Sequence, residues 1–313
     1  LVSRVLFDGH KGVGVEGFDS GNPVAFRCSG DVILSAGSLQ SPQLLELSGI
    51  GAADHLRSLG LPVIHDSREV GENLQDHYQA RTIVGLREPV SLNNQVRSPF
   101  GLARMGLQWV FQARGPLTVG AGQVGGFACT PHALGGRADI QFNVMPLSVD
   151  KPGDPLHRDA GFTVSVCQCR PESRGSVHVR SADPAEAPRI QANYLRETLD
   201  LKTLIDGLKL AREIYRQPAF AGRWSHEKLP GDVDLEAFAR RFGGTVFHPT
   251  STCRMGSDAS AVVDPQLRVK GVERLRVIDA SVMPRVISAN TNAATIMVAE
   301  KGAAMLLGTM PQA

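Results

Sequence analysis

The sequence lacks both an excess of charge of one sign and any long apolar run. Its 313 residues include 33 Lys and Arg against 31 Asp and Glu, with no conspicuous basic run. We therefore expect no nucleic-acid partner. The most apolar stretch, near the C-terminal end, is interrupted by Glu300 and Lys301. We therefore also expect no transmembrane segment.

Cysteines are few, and their spacing fits neither a disulfide framework nor a metal site. The five stand at positions 28, 129, 167, 169 and 253, an odd and scattered set. Neither Cys167-x-Cys169 nor His248 with Cys253 matches a zinc pattern, so we predict no metal site. Thiols without a disulfide pattern are typical of a reducing compartment. We expect a cytoplasmic protein, with peripheral attachment to a membrane left open.

A serine-hydrolase motif is absent, and a glycine pattern typical of nucleotide binding stands in the wrong structural context. No Gly-x-Ser-x-Gly elbow is present, so a serine hydrolase finds no support. Gly12-Val-Gly-Val-Glu-Gly17 matches the dinucleotide-binding glycine pattern. That pattern requires a helix directly after the glycines, whereas Phe18-Asp-Ser-Gly-Asn-Pro23 is typical of a hairpin turn. We therefore interpret these glycines as part of a hairpin.

The sequence does contain a histidine and an asparagine in contexts suited to chemistry. His248 stands in a run rich in turn formers and small hydroxyls, and Asn292 stands where a helix is predicted to begin. An imidazole accepts protons near neutral pH, and an amide can hold the oxygen on which it acts. A helix N-terminus adds partial positive charge. The combination predicts a reaction in which a hydroxyl loses its proton while negative charge builds nearby.

That helix is indicated by apolar residues at helical spacing, with Gly308 as its stop. The residues of the predicted apolar stripe are Ile296, Met297, Ala299, Ala303, Leu306 and Leu307. Each site residue also has a structural alternative. His248 could satisfy a buried turn, and Asn292, or Asn290 in its place, could cap the helix. We interpret Asp76 and His77 as structural.

The first part of the chain predicts strands and short helices. Residues 31–36 are typical of a buried strand that ends in a tight turn. A short helix follows, with Ser41 as its predicted N-cap and Gly49 as its stop. The strand pattern at 275–278 ends at Asp279 and indicates a return to the same domain.

The middle of the chain predicts a different domain. Alternating runs at 141–144 and 163–167 indicate antiparallel strands with one solvated face. An apolar stripe from Leu201 to Tyr215 predicts a long amphipathic helix. The predicted division is therefore 1–77, 78–256 and 257–313, in which the first and last segments form one domain.

Four ordered motifs resemble the glucose–methanol–choline (GMC) family of flavin oxidoreductases, most closely its choline and alcohol dehydrogenase branch. Residues 37–51 resemble the family's second signature, and residues 70–77 resemble the segment that follows it. Residues 248–256, then 279–284 with 290–292, resemble its C-terminal region in order and spacing. The resemblance covers nearly the whole chain.

The resemblance implies an α/β FAD-binding domain and an α+β substrate domain with a mostly antiparallel sheet. His248 matches the family's catalytic histidine, and Asn292 matches its second catalytic position. The positions that match FAD contacts are Val2 (through its backbone), Asp279, Ala280, Asn290, Thr291 and Asn292. Family members open with a strand, a Gly-rich turn and a helix that hold the pyrophosphate. This sequence starts at Leu1 without them, so we expect an incomplete and, alone, inactive C-terminal portion of a longer enzyme.

The implied function is oxidation of a primary alcohol to an aldehyde, with the hydroxyl proton passing to His248 and a hydride to flavin N5. A dehydrogenase that uses a quinone or dye as electron acceptor is favoured over an oxidase. Choline-oxidising relatives carry an acid after the Gln-Asp-His segment and a second histidine further on. Here Tyr78, Gln79 and Asn143 occupy those places, so we assign them to the substrate pocket and expect an uncharged alcohol.

Two alternatives to alcohol oxidation stay open. A hydroxynitrile lyase uses the same fold without flavin redox chemistry. An inactive fragment is the other, because the dinucleotide-binding turn is not in the sequence.

Overall fold

A computed structural model describes residues 1–118, 120, 122–151 and 153–309. Its helices are α1 (Gly37–Leu47), α2 (Ala53–Ser58), α3 (Leu92–Arg97), α4 (Pro99–Gln112), α5 (Thr198–Tyr215), α6 (Leu235–Phe242) and α7 (Asn292–Leu307). Its strands are β1 (Val2–Asp8), β2 (Lys11–Asp19), β3 (Asn22–Arg27), β4 (Val32–Leu34), β5 (Ile50–Gly51), β6 (His65–Asp66), β7 (Tyr78–Leu86), β8 (Val124–Ala128), β9 (Ile140–Met145), β10 (Gly161–Gln168), β11 (Ser176–His178), β12 (Arg189–Gln191), β13 (Trp224–Leu229), β14 (Gly244–Thr245) and β15 (Leu275–Val277). Within the described residues, no helix combines the length and the apolar character that crossing a membrane requires.

The chain divides into two compact units. Unit 1 comprises 1–77, 173–194 and the described part of 247–313, and unit 2 comprises the described parts of 78–172 and 195–246. The predicted division shares the boundary after residue 77. It differs at 173–194 and 247–256, which fall in unit 1.

Hydrogen bonds explain why these two segments belong to unit 1. The Thr250 amide donates to the Gln75 carbonyl at 2.8 Å, and the Cys253 amide donates to the Ser281 carbonyl at 2.9 Å. The Val177 amide in β11 donates to the Gly71 carbonyl at 2.7 Å. Hydrophobic periodicity reports burial and not the pairing partner, so the sequence pattern could not place these segments.

The core of unit 1 surrounds a parallel pair of strands, β4 and β15. Val32 lies opposite Leu275, and Leu34 lies opposite Val277. All four are buried in one apolar cluster. Parallel strands covered by helices agree with the α/β class predicted for this part of the chain.

The glycine match at 12–17 lies entirely on β2, in the antiparallel sheet β1–β2–β3. A Cβ at Gly14 would come within 2.1 Å of the Phe26 carbonyl oxygen, so the glycine permits close approach of β3. The chain turns into β3 after Asp19, and no helix follows in this described stretch. The predicted hairpin is confirmed.

Helix α1 begins at Gly37, so the prediction of Ser41 as N-cap is wrong. Gly37 adopts φ = 81° and its amide donates to Asp279 Oδ2 at 2.9 Å. The Ser41 hydroxyl donates to the same oxygen at 2.6 Å. A carboxylate from a distant part of the sequence therefore serves the helix start, which local pattern cannot reveal.

Helix α7 begins at Asn292, and Gly308 follows it in the left-handed conformation, as predicted. The predicted apolar stripe is wrong, because Ile296 and Met297 are more than half exposed. Val298 and Gly302 form the buried face instead. A Cβ at Gly302 would lie 2.7 Å from Ile278, so the helix packs through its smallest residue.

Unit 2 contains a six-stranded antiparallel sheet in the order β13–β7–β10–β9–β8, with β14 also paired to β7. The antiparallel prediction is confirmed at both strands named from the sequence. The prediction of a solvated face is wrong for β10, because every residue of this strand is buried. Helix α5 covers this strand at Gly207, where a Cβ would lie 2.7 Å from Val166.

Candidate active site

His248 is held in a strained turn of unit 1. Phe247 adopts φ = 63° and Ser251 adopts φ = 76°, values that cost free energy for residues other than glycine. The His248 amide donates to Asp76 Oδ1 at 2.9 Å, and the Tyr194 hydroxyl donates to Asp76 Oδ2. Asp76 therefore fixes the backbone of His248, as its structural interpretation predicts.

A second histidine contacts the His248 ring. His77 Nδ1 lies 3.0 Å from His248 Nδ1, and the two rings meet edge to face at an interplanar angle of 85°. His77 is fully buried, whereas His248 is half-buried. Sequence reasoning left His77 out of the site, although it ends the Gln75-Asp-His77 motif. Its only sequence signal was its place beside Asp76.

The other nitrogen of His248 faces an asparagine. Asn290 Nδ2 lies 3.4 Å from His248 Nε2. An amide nitrogen donates, so this contact favours the tautomer that has its lone pair on Nε2. In that tautomer the proton of the neutral ring is on Nδ1 and points at His77 Nδ1.

The surroundings keep His248 uncharged. Burial lowers the pKa of His248 below the ordinary value of 6.5, and the charge of His77 lowers it further. Asp76 acts in the opposite direction to a smaller extent, since its carboxylate engages the His248 backbone amide. At neutral pH the ring is therefore a proton acceptor at Nε2.

Asn292 is the first residue of α7 and is exposed. The N-cap residue is Thr291, and within the described residues its side chain makes no capping hydrogen bond. The predicted cap by Asn292 or Asn290 is therefore wrong. The first-turn amides and the Asn292 side chain form a donor-rich, electropositive end.

Asp279 and Ala280 follow the strand β15. The Asp279 carboxylate accepts three hydrogen bonds, from the Gly37 amide, the Ser41 hydroxyl and the Ser281 amide. Its side chain thus organises the turns at the carboxyl ends of β4 and β15. A cofactor contact at these positions would use the main chain.

Val2 lies on β1, at the edge of its three-stranded sheet. An edge strand leaves main-chain groups on one side for an additional partner. This location is compatible with the backbone role that the family resemblance implies.

The three residues predicted to line the substrate pocket lie in unit 2. The side chains of two of them form hydrogen bonds with other residues of that unit. The Tyr78 hydroxyl donates to the Ala239 carbonyl at 2.8 Å, and burial raises the pKa of Tyr78. Gln79 accepts from the Ser165 hydroxyl and donates to the Thr245 carbonyl at 3.3 Å. Asn143 lies on β9, partly buried and opposite Ser165 of β10.

A second histidine centre lies elsewhere in unit 1. His178 Nδ1 lies 2.7 Å from Glu46 Oε1, and His178 Nε2 lies 3.0 Å from Glu72 Oε1. The Glu46 carboxylate also accepts from the Val179 amide at 2.8 Å. These carboxylates raise the pKa of His178, the bond to Glu46 being the largest cause.

Distance alone would allow a metal ion at this second centre. Ligand atoms of Glu46, His55 and His178 lie within 4.8 Å of one another. Both nitrogens of His178 already face carboxylate oxygens, however. A proton on each nitrogen satisfies that geometry, so we interpret the centre as an imidazolium held between two acids.

Two models of one protein family match the chain. Both are described as GMC oxidoreductase, and they cover residues 1–79 and 171–299. The chain is 39% identical to the oxygen-dependent choline dehydrogenase of Pseudomonas aeruginosa, over 99% of this chain and 56% of the relative. It is 41% identical to human mitochondrial choline dehydrogenase, over 98% and 53%. It is 38% identical to the alcohol dehydrogenase [acceptor] of Pseudomonas putida, over 97% and 56%.

Solved structures show the same fold. Formate oxidase of Aspergillus oryzae matches with a TM-score of 0.90 and 26% identity, over 98% of this chain and 59% of that one. Pyridoxine 4-oxidase from Mesorbium loti matches with a TM-score of 0.83 and 26% identity, over 99% and 57%. The chain thus spans a little over half the length of the relatives it matches, and the predicted fold class is confirmed.

Proposed function

The chain belongs to the GMC oxidoreductase family, and on that premise we propose that the intact enzyme oxidises a primary alcohol to an aldehyde with His248 as the base. The observation that carries the proposal is the setting of the half-buried His248 ring, whose Nδ1 lies 3.0 Å from His77 Nδ1 and whose Nε2 lies 3.4 Å from the Asn290 amide nitrogen. This nitrogen takes the hydroxyl proton, so that the carbinol carbon can release a hydride. FAD, when bound, supplies the acceptor for that hydride at N5.

The residues of unit 1 fit such a cofactor. Strands β4 and β15 are parallel and end at Leu34 and Val277, and α/β proteins bind cofactors at carboxyl ends of strands. The first turn of α7 would hold the flavin ring through its amide donors, and its partial positive charge would favour negative charge there. We assign Asn290, Thr291 and Asn292 to this contact, with the main chains of Val2, Asp279 and Ala280.

Within this mechanism, His77 is a positioning residue. Its Nδ1 accepts the His248 Nδ1 proton across 3.0 Å and thereby holds the tautomer whose Nε2 is basic. Asp76 fixes the same ring through the backbone. Asn292 holds the alkoxide oxygen as charge develops.

The substrate we propose is an uncharged alcohol. Tyr78 and Gln79 direct their polar atoms to protein groups in unit 2, and neither carries a negative charge for a quaternary ammonium. Because several similar proteins are named choline dehydrogenase, choline itself should be tested as a substrate. For the oxidant we propose a quinone or dye-type acceptor, in line with the name of the Pseudomonas putida relative.

For location we propose the cytoplasm, with peripheral contact to a membrane. All five cysteines lie among the described residues, and none forms a disulfide. This supports a reducing compartment.

The test is anaerobic mixing of the FAD-loaded enzyme with a panel of alcohols that includes choline. Bleaching of the flavin absorbance by a neutral alcohol, faster than by choline, is the expected result. Choline as the fastest substrate would overturn the proposed pocket. Cyanohydrin cleavage without bleaching by any alcohol would show a lyase and overturn the redox proposal.

A further inference from the structure

Arg81 lies on β7 in the sheet of unit 2, and its charge has no partner. The residue is partly buried, and burial lowers the pKa of Arg81, although a guanidinium keeps its charge at neutral pH. Within the described residues, the Arg81 side chain forms no hydrogen bond and no ion pair. A partly buried cation without a counter-charge costs free energy, which a ligand with acceptor oxygens would recover.

The register of the sheet places Arg81 in a polar row. Ser165 of β10 lies opposite Arg81, and Asn143 of β9 lies opposite Ser165, so the three side chains share one face of the sheet. The Ser165 hydroxyl donates to Gln79, whereas the Asn143 side chain forms no hydrogen bond within the described residues. An arginine side chain is longer than the roughly 5 Å between neighbouring strands. Its guanidinium can therefore approach Asn143 over the small serine.

This polar row lies on the face of the sheet that points away from α5. The helix packs on the other face, where a Cβ at Gly207 would lie 2.7 Å from Val166. Successive residues of a strand point to opposite faces, so Ser165 points away from the helix. The row is therefore not covered by α5.

Both ends of the row are also uncovered by neighbouring strands. At one end, Asn143 lies opposite Gly125 of β8, which has no side chain. At the other end, β13 pairs with β7 from Ile83 onward and β14 pairs with residues 78–79. Within the described residues, no strand residue therefore lies opposite Arg81 on that side. Arg81 and Asn143 are both partly exposed, so a small ligand can reach them.

We propose that Arg81 and Asn143 bind the carboxylate of a small organic acid on this face of unit 2. A guanidinium presents paired N–H donors that match the two oxygens of a carboxylate, and the Asn143 amide adds a further donor. A cationic group would be repelled by Arg81, and an apolar group would leave both side chains unpaired. The carboxylate belongs either to the substrate alcohol or to a separate acid.

The experiment is calorimetric titration of the FAD-loaded enzyme with acetate and benzoate, with acetamide and benzamide as their uncharged matches. We expect saturable binding of the acids and about 10-fold weaker binding of the amides, because charge-assisted hydrogen bonds are the stronger ones. Arg81→Gln should weaken acid binding about 10-fold or more, and Asn143→Ala about threefold. The matched control is Arg97→Gln, which removes an exposed arginine of the same unit and should change nothing.

Two results of the titration would overturn the proposal. One is the absence of saturable binding for both acids. The other is an equal loss of acid binding in Arg81→Gln and Arg97→Gln, which would show that the acids respond only to net charge.

Thermal melting of the same holoenzyme gives a second readout. Without added acid, Arg81→Gln should melt at the wild-type temperature or higher, because the substitution removes a desolvated charge that has no partner. Benzoate should raise the melting temperature of wild type but not of Arg81→Gln. A lower melting temperature of Arg81→Gln without acid would overturn the proposal, by showing that a structural partner holds the arginine.

A matched pair of alcohols identifies the source of the carboxylate. Faster flavin bleaching by para-hydroxymethylbenzoate than by para-hydroxymethylbenzamide, lost in Arg81→Gln, would support a carboxylate on the substrate and replace the uncharged alcohol proposed above by an acidic one. Benzoate binding without such a rate difference would support a separate acid. The titration requires no turnover, so failure of this site and failure of the proposed alcohol oxidation are distinguishable.

Discussion

His248 and His178 lie in the same unit, yet their surroundings move the two pKa values in opposite directions. Burial and a neighbouring histidine lower the pKa of His248. Two carboxylates that face its ring nitrogens raise the pKa of His178. The acid near His248 bonds to its backbone amide, whereas the acids near His178 bond to its ring. A carboxylate that bonds to the backbone amide leaves the His248 ring a proton acceptor, whereas carboxylates that bond to the ring nitrogens make His178 a structural cation.

The largest expected effect is on catalysis. In the FAD-loaded enzyme, His248→Gln should lower kcat/KM by about 10²–10⁴-fold, because the positioned base is lost. FAD content should be kept, since the backbone bond to Asp76 does not depend on the side chain. His178→Gln is the matched variant, and its kcat/KM should change little. An equal loss of kcat/KM in both variants would contradict the proposed difference between His248 and His178.

Removing the partner of His248 should have the next largest effect. His77→Leu should lower kcat roughly 10-fold or more with little change in KM, because the basic tautomer is no longer held. His77→Asn places an acceptor oxygen near the position of Nδ1 and should restore most of the rate. If both variants lose FAD and rate alike, the role of His77 is structural only.

Substitutions at the second histidine centre should change the stability of the protein rather than its catalytic rate. Glu46 is fully buried and accepts from both His178 and Val179. Glu46→Gln presents an amide to one of these donors, which should cost about 2 kcal/mol of unfolding free energy. Urea unfolding of the holoenzyme measures it. Glu72→Gln removes a half-exposed partner and should cost about 0.5 kcal/mol or less.

The smallest expected effect is the pH dependence of stability, which should differ in sign between the two histidines. The raised pKa of His178 gives stability that is complete below pH 6.5 and is lost as pH rises through the folded-state value. The lowered pKa of His248 has the opposite sign, so stability is lost as pH falls below 6.5. Melting temperatures of wild type minus His178→Gln, and of wild type minus His248→Gln, should slope in opposite directions. Parallel slopes would contradict the assignment of charge.

Much of the fold could be predicted from local sequence. Gly308 ended α7 as expected, and alternation in 141–144 and 163–167 located two strands of the antiparallel sheet. Failures occurred where a distant group decided the outcome. Asp279 serves the start of α1 from 242 positions away, and Gly302 turns α7 so that its large apolar residues face outward.

The candidate site shows the same difference between what local sequence predicts and what distant contacts decide. His248 was identified from its motif, but the role of His77 depends on a contact across 171 positions. The pocket residue Tyr78 was assigned by its place in a motif, and its hydroxyl bonds to Ala239 in unit 2. Spacing identifies candidate residues, while hydrogen-bond partners decide their protonation and are set by tertiary structure.

The pH dependence of kcat/KM for the FAD-loaded enzyme with a neutral alcohol tests the central claim most directly, because it reports ionisation of the unliganded enzyme. Protonation of His248 should produce an acidic limb whose midpoint lies below 6.5, the ordinary value for histidine. The limb should be absent from the residual activity of His248→Gln. A midpoint at or above 6.5, or a limb that persists in His248→Gln, would contradict the account of His248 as a base held neutral by its surroundings.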